Sequence, residues 1–311
     1  MIALWYGTTQ HFGQLGQCQR WINILGTIAD PERLAQATFA VNDGAERALT
    51  LGSDLHRLAR PGDFNAEVAW NEVTPGDNSL ILRATTLHNE RFRTEVRLVV
   101  HEGNGWPLPW TVDFAAVQHL PDVVQIVDGL WHSRPDGVYT AEPYYDRVLC
   151  MGDNSWTNYE ATLRLTVHSF TPSAPGPPTY DVTHFGVAMR WRGHHADGLQ
   201  PSRKWFPLGA QGEFLLAADP GACQWRILFD GTRDKRPQYA SGRNTLTQGQ
   251  RMLVRTQVCT LPDGRSRYRF KQWQDNQAEP ETWDVEGYEV DDVPSGSLCL
   301  VAHNSTVTIH D

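Results

Sequence analysis

The feature that most constrains the fold is a strict alternation of apolar and polar side chains over residues 159–168. Successive side chains of a β-strand point to opposite faces, so a period of two predicts a strand with one buried face. The apolar positions of this stretch are Tyr159, Ala161, Leu163, Leu165 and Val167. The sequence therefore predicts a long, half-buried strand and a sheet with one side packed on a core.

A second alternating stretch covers residues 184–192, after a proline-rich segment. Its polar positions include His184, Arg190 and Arg192, so we expect a cationic outer surface on this strand. The side chains that the same alternation assigns to the core are Phe185, Val187, Met189 and Trp191.

The length of the chain, 311 residues, predicts two domains, because single cores seldom grow beyond about 250–300 residues. Residues 1–125 divide into roughly seven short alternating segments separated by turn residues, the pattern of an immunoglobulin-like β-sandwich. Residues 126–311 contain further alternating segments and form the second predicted domain. The predicted fold class is therefore all-β, with two β-sandwich domains.

An aromatic and proline-rich segment, Trp106-Pro-Leu-Pro-Trp110, lies just before the predicted boundary. Proline fixes the backbone φ angle, so this segment is expected to be stiff. We interpret it as a strut packed between the two domains. The alternative interpretation is a platform for a ligand.

The charge of the chain argues against nucleic acid as a partner. The formal net charge is −9, whereas a phosphate backbone is bound by a basic surface. No segment approaches the ~18 apolar residues of a membrane helix, and the N-terminus lacks the pattern of an export signal. We expect a soluble chain without membrane insertion, and its cellular location remains open.

Five cysteines are scattered singly along the chain, without the close pairs that zinc sites and redox motifs require. We therefore predict small core residues with at least one free thiol. The five are Cys18, Cys150, Cys223, Cys259 and Cys299.

Four segments of the second half carry a resemblance to a known superfamily. They are WTNYE at 156–160, FGVAMRW at 185–191, YRFKQW at 268–273 and SLCLVAH at 297–303. Residues 129–311 resemble the concanavalin A-like, laminin-G-like jelly rolls. The resemblance implies a fold more than an activity, because this jelly roll serves lectins, carbohydrate-binding modules, glycoside hydrolases and polysaccharide lyases.

The function that we favour from the sequence is binding of a carbohydrate or glycan-like ligand on one sheet face. Indole rings pack against the C–H faces of sugars, while cationic and polar groups contact the hydroxyls. Such binding requires no cofactor. The candidate ligand-binding residues are Arg190, Arg192, Trp205, Lys271, Trp273 and Trp283.

A polysaccharide-cleaving enzyme of the same fold is the first alternative. A lyase acting on an acidic glycan would use cationic groups and a phenol, for which the candidates are His184, Arg190, Tyr268 and Lys271. A glycoside hydrolase needs two carboxyl groups, for which the candidates are Asp284 and Glu286. Glu281 is displaced by one position from the jelly-roll glucanase pattern. A structural or adhesion module that binds protein is the second alternative.

Metal binding is considered at two places. The resemblance implies structural calcium, and Asp146, Asp153 and Asn154 carry oxygen ligands of the required kind. His194 and His195 could bind a transition metal with Asp181 or Asp197, although adjacent side chains on an extended chain diverge.

Overall fold

The computed structural model describes residues 1–54, 56–170, 182–229 and 237–311. The predicted all-β fold is confirmed. Five short 3-10 helices interrupt the strands of the described part, at Pro31–Arg33, Trp70–Glu72, Phe114–Ala116, Leu120–Asp122 and Pro220–Ala222.

The first sandwich pairs a three-stranded sheet, in the order β1-β3-β6, with a five-stranded sheet, in the order β2-β8-β7-β4-β5. Alternation builds its core, because Phe64, Ala66 and Val68 of one sheet are buried against side chains of the other. The strands are β1 (Ile2–Leu4), β2 (Thr9–Phe12), β3 (Trp21–Ile28), β4 (Leu34–Val41), β5 (Arg47–Ala48), β6 (Asp63–Ala69), β7 (Gly76–Thr86) and β8 (Arg91–Val100).

In the described part of the chain, the second sandwich has two sheets of seven strands each. Its strands are β9 (Gln125–Asp128), β10 (Trp131–Arg134), β11 (Gly137–Thr140), β12 (Arg147–Met151), β13 (Tyr159–Phe170), β14 (His184–Trp191), β15 (Ala210–Leu215), β16 (Gln224–Phe229), β17 (Gln238–Tyr239), β18 (Arg251–Thr260), β19 (Ser266–Gln274), β20 (Val285–Glu289), β21 (Ser297–His303) and β22 (Ser305–Ile309).

We call β10-β11-β22-β13-β18-β19-β20 the open sheet and β17-β16-β15-β14-β21-β12-β9 the covered sheet. Their inner faces form the main core, in which Leu163, Leu165 and Val167 of the open sheet pack with Phe185 and Val187 of the covered sheet. The predicted burial of this face of residues 159–168 is therefore confirmed, with Ala161 half-buried at its edge. The boundary at residue 125 stays a prediction.

A β-bulge in β14 reverses the predicted alternation at its end. The pairing of β14 with β21 is regular from His184 to Met189 and then shifts register before Trp191, where Arg190 has a φ of 52°. A bulge inserts one unpaired residue and re-aims the side chains beyond it. Trp191 is buried as predicted, but on the outer side of the sheet with Ala188 rather than in the core between the sheets.

The first sandwich packs against the outer face of the covered sheet. Cys18 of the first sandwich joins Trp191, Cys150 and Cys299 in a separate buried apolar cluster. All five cysteines are free. Within the part of the chain that the structure describes, no helix is both long and apolar enough to span a membrane.

Buried charges also link the two sandwiches. The Arg57 guanidinium lies 2.5 Å from Glu67 and 2.8 Å from Asp128 of β9, and all three side chains are buried. Burial raises the pKa of Asp128 to about 6, against the opposing effect of Arg57. The outer face of the covered sheet is thus closed by specific contacts rather than exposed to water.

Candidate functional site

The predicted polar face of β19 is present on the open sheet. The Lys271 ammonium lies 4.9 Å from the centre of the Trp283 ring and 5.8 Å from that of Trp273. The Arg269 guanidinium lies 4.6 Å from the centre of the Trp283 ring. The structure therefore brings together three of the predicted ligand-binding residues, with Lys271 and Trp273 on one face of β19 and Trp283 in the segment before β20.

Most of this face is not exposed, which corrects the expectation of an open binding surface there. Lys271 is 4% exposed and Trp273 is 7% exposed. The segment that precedes β20 covers them, because the Lys271 ammonium contacts Glu279 at 2.7 Å and the Pro280 carbonyl at 2.6 Å. Trp283 is half-buried and is the accessible aromatic side chain of this group.

Arg190 is not a surface residue, and the expectation of an exposed cationic strand is wrong for it. The side chain is 1% exposed and its guanidinium donates to Asp292, Ser266 and the Thr157 carbonyl. The bulge described above turns it inward. Arg190 therefore links the end of β14 to the chain around Thr157, Ser266 and Asp292.

His184 is also buried, whereas the sequence placed it on an exposed polar face. Arg192 is half-buried and donates to the carbonyl and hydroxyl oxygens of Ser295. Trp205 packs at the interface between the sandwiches, with its ring centre 4.9 Å from that of Trp191. It lies beside the covered sheet, whereas Lys271 belongs to the open sheet.

The candidate catalytic residues do not form one group. Tyr268 is buried in the main core and donates to Asp292 at 2.5 Å, the same carboxylate that binds Arg190. Burial raises the pKa of the Tyr268 phenol, which makes it a poor proton donor or acceptor near neutral pH. Lys271 lies on the opposite face of β19.

The two candidate carboxylates have different surroundings. Asp284 accepts from the Asn244 amide at 3.0 Å and from the main chain of Gln272 at 2.9 Å. Glu286 lies 3.9 Å from Arg269 on the outer face of the open sheet. Their assignment as a glycosidase pair stays a prediction.

The segment before the second sandwich contributes to an aromatic cluster in which Trp110 is exposed and Trp106 and Trp156 are half-buried. The Trp106 ring centre lies 5.7 Å from that of Trp110 and 6.1 Å from that of Trp156, in both cases with the rings nearly perpendicular. Trp110 is 40% exposed and Leu108 is 59% exposed. We call Trp106, Trp110 and Trp156 the indole surface. Trp106 contacts the second sandwich as a strut would, but Trp110 faces solvent as a platform would.

A groove runs beside the indole surface, between the first sandwich and the segment before β9. Its walls include Trp106, His11, Gln14 and Asp122. The Gln14 amide lies 3.5 Å from the Asp122 carboxylate, and this contact is exposed to solvent. The groove therefore places polar groups next to an aromatic side chain, although none of these three polar residues was singled out from the sequence.

A row of polar side chains crosses the outer face of the covered sheet, and we call it the histidine row. It runs from Arg226 through Glu213, His184 and His303 to Asp146. The His184 Nε2 lies 3.4 Å from Glu213, and the His184 and His303 rings stack with centres 4.7 Å apart and planes 3° apart. The His303 Nδ1 lies 2.7 Å from Asp146. Arg226 donates to Glu213.

Burial controls protonation in the histidine row. Burial lowers the pKa of His184 well below its ordinary value, and the neighbouring His303 and Arg226 act in the same direction. Burial raises the pKa of Glu213, opposed by Arg226. The sequence offered one signal for this group, since His184 and His303 both stand on polar positions. Only the pairing of β14 with β21 brings them together.

The calcium candidates lie at the two ends of one strand. Asp146 and Asp153 flank β12 at opposite ends, and the five residues of this strand span about 17 Å. Asp153 accepts from the main chain of Gln17 and from both the main chain and the hydroxyl of Ser155. Calcium takes six to eight oxygen ligands; Asp146 is separated from Asp153 and Asn154 by the length of β12, and structural calcium stays a prediction.

The adjacent histidines diverge, as the sequence suggested. His194 is buried 4.0 Å from Asp128, while the His195 Nε2 lies 3.2 Å from the Pro207 carbonyl. Asp197 accepts from main-chain amides of its own loop, and Asp181 lies outside the described residues. The group of three candidate metal ligands found among the described residues is instead Asp146, His184 and His303.

No family model and no curated protein matches this chain. One solved structure, from work on the promiscuous specificity of carbohydrate-binding modules of the β-sandwich superfamily, aligns with 94% of this chain and 92% of its own, at 10% identity and a TM-score of 0.19. The Bacteroides ovatus mixed-linkage glucan utilization locus protein SGBP-B, in complex with a mixed-linkage heptasaccharide, aligns over 97% and 95%, at 12% identity and a TM-score of 0.20. TM-scores at this level do not establish a shared fold.

Proposed function

We propose that this chain binds carbohydrate through the indole surface. The observation that carries the proposal is the exposure of Trp110 beside Leu108, next to two further indoles that pack edge to face. Burial of apolar side chains stabilises a folded chain, so contiguous apolar groups left in water commonly mark an interaction site. A binding surface explains why these side chains face solvent.

The chemistry of the surface and its groove suits a sugar. A pyranose ring presents C–H groups that pack on an indole, and its hydroxyls take hydrogen bonds from side chains at the edge of the ring. Gln14, His11 and Asp122 line the adjoining groove and supply both donors and acceptors. The prolines at 107 and 109 fix backbone torsions in advance, which reduces the entropy lost on binding.

The expected ligand is a neutral glycan. The chain carries a formal charge of −9, and like charges disfavour association with a polyanion. Asp122 lines the groove beside Trp106 and adds negative charge there. An acidic polysaccharide is therefore the less favoured ligand for this surface.

The face of the open sheet around Trp283 is the alternative contact surface for the same class of ligand. It combines the Trp283 indole with Arg269 and Lys271, of which Trp283 and Lys271 belong to the aromatic and cationic set predicted from the sequence. We place it second because Lys271 and Trp273 are covered. Trp283 is left as the principal aromatic contact on that face.

The test is calorimetry of the full chain with a panel of neutral and uronate-containing oligosaccharides. We expect a neutral oligosaccharide to bind, and Trp110→Ala to weaken binding roughly tenfold, which corresponds to about 1.4 kcal/mol. Because Trp110 is exposed, its removal leaves the cores intact. Tyr288→Ala removes an exposed aromatic side chain of β20 and should bind as the wild type does.

Three results decide the matter. No binding up to millimolar concentration across the panel would refute carbohydrate recognition. Binding that is lost in Trp283→Ala and kept in Trp110→Ala would move the site to the open sheet and overturn the indole surface. Binding that is unchanged in both variants would exclude both surfaces.

A further inference from the structure

The histidine row contains a set of metal ligands that the carbohydrate proposal does not use. Asp146 directly precedes β12, His184 begins β14 and His303 ends β21. These strands are neighbours in the covered sheet, and His184 lies opposite His303 in the register. One candidate ligand atom from each residue lies within 4.8 Å of those of the other two.

The surroundings of His184 match those of a metal-binding imidazole. Its Nε2 faces the Glu213 carboxylate at 3.4 Å, and Glu213 is itself held by Arg226 and by the Gln211 amide. A metal-binding histidine commonly donates its second ring N–H to a carboxylate, which fixes the tautomer and orients the other nitrogen. In His184 the other nitrogen, Nδ1, is buried and makes no hydrogen bond in the described structure.

We propose that Asp146, His184 and His303 bind a divalent transition metal ion of the zinc class. Two imidazoles and one carboxylate are the ligands that zinc and its neighbours prefer, whereas calcium takes oxygen ligands. The site is distinct from the calcium site expected from the sequence, with which it shares only Asp146. It is also independent of the indole surface.

Closing the site around an ion requires the ligand atoms to approach one another and the two imidazoles to turn. Two ligand atoms about 2.1 Å from a tetrahedral zinc ion are about 3.4 Å apart, compared with the present limit of 4.8 Å. The stacked imidazoles must turn about χ2 so that a lone pair of each ring points at the ion. Asp146 is the least buried of the three, with 18% of its side chain exposed, and it marks the side from which an ion enters.

Three protein ligands leave one position of a tetrahedral ion open. In zinc proteins a fourth position of this kind holds water or another small ligand, whereas sites with four protein ligands are closed. The Tyr145 ring packs on His303 with ring centres 4.6 Å apart, and the His56 ring lies 5.3 Å beyond Tyr145. These side chains stand beside the histidine row, where a fourth ligand would bind.

The test uses the full chain after treatment with a chelator and measures Zn²⁺ by calorimetry and Co²⁺ by its visible d–d absorption. We expect one ion per chain, and an Asp146→Asn or His303→Gln exchange to weaken Zn²⁺ binding at least tenfold. His11→Gln is the matched control. It breaks the other close histidine pair, in which the His11 Nδ1 lies 3.0 Å from the His101 Nε2, and it should leave Zn²⁺ binding unchanged.

A measurement on the unaltered chain covers the case in which a variant fails to fold. Co²⁺ is paramagnetic, so its binding should broaden the imidazole resonances of His184 and His303 before those of the exposed His88 and His119. Broadening that starts at other histidines would overturn the assignment. So would the absence of stoichiometric Zn²⁺ binding, or full retention of binding by folded Asp146→Asn and His303→Gln proteins. None of these outcomes depends on whether a sugar binds.

Discussion

The outer faces of the open sheet and the covered sheet carry similar residues in different surroundings. On the open sheet, Arg255 pairs with Glu160 and Glu279 at 2.5 and 2.8 Å in contact with water. On the covered sheet, Arg226 pairs with Glu213, and both side chains are buried. The chemical groups are the same, and only the depth of burial differs.

This difference teaches what alternation can and cannot report. A period of two shows that one face of a strand is apolar and packed on a core. It does not show whether another part of the chain covers the second face. Charges on an uncovered face remain hydrated, whereas charges on a covered face depend on each other because water is excluded.

The largest predicted effect follows from removing the cation on the covered sheet. We expect Arg226→Met to lower the free energy of unfolding by about 3–5 kcal/mol, because Glu213 is then a buried carboxylate without its guanidinium. Chemical denaturation at neutral pH measures the change. Arg226→Lys keeps a positive charge and should lose less. A loss below 1 kcal/mol for Arg226→Met would show that the pair is not isolated from water.

A second prediction concerns pH and the buried His194 at the interface of the sandwiches. Burial lowers the pKa of His194 well below its ordinary value of 6.5, with Arg57 acting in the same direction. Below pH 6.5 the unfolded chain takes up a proton that the folded chain does not, so the stability due to neutral His194 is present above that pH and lost as pH falls.

The stability difference between wild type and His194→Gln should therefore be larger at pH 7 than at pH 5. The opposite dependence of Asp128, whose pKa is raised to about 6, is present in both proteins and largely cancels in the comparison. Denaturation at several pH values measures the difference. His88→Gln, at an exposed position, should show no such trend, and a flat difference for His194→Gln would contradict the prediction.

Sequence alternation predicted the fold well and the site poorly, and single residues show why. Leu163 and Val167 follow their pattern into the core because β13 is regular in this part. Arg190 departs from its pattern because it is itself the bulged residue, with a φ of 52°, and the faces reverse beyond it. A bulge depends on local backbone geometry. Glycine or proline at the bulged position would have indicated it, but that position of β14 is an arginine.

The candidate sites depend on contacts between distant segments. Lys271 and Trp273 were predicted to share a strand face and do, but their contact with Trp283 and the segment that covers them were not foreseen. His184 was singled out without His303, since strand order and register decide which strand ends meet. Trp110 was weighed as part of a strut, because sequence alone does not show which indole of a segment faces water.

A third prediction concerns the contribution of Trp283, on the outer face of the open sheet, to the stability of the protein. We expect Trp283→Ala to lower the free energy of unfolding by about 1 kcal/mol, since its ring contacts the cations of Arg269 and Lys271 at a partly exposed position. Trp283→Phe retains a ring and should recover part of the loss. A loss of more than 3 kcal/mol in the free energy of unfolding would mean that Trp283 is a core residue rather than a partly exposed one.

The smallest effect is expected for Arg255→Met, the counterpart of Arg226→Met on the open sheet. Exposed ion pairs contribute about 0–1 kcal/mol, and salt screens them. The cost of Arg255→Met should therefore shrink further as ionic strength rises, whereas the cost of Arg226→Met should change little because salt does not reach a buried pair. Unfolding of both variants in low and high salt tests this contrast. Equal salt dependence would mean that the two faces share one environment, and the division into an open and a covered sheet would then lose its energetic meaning.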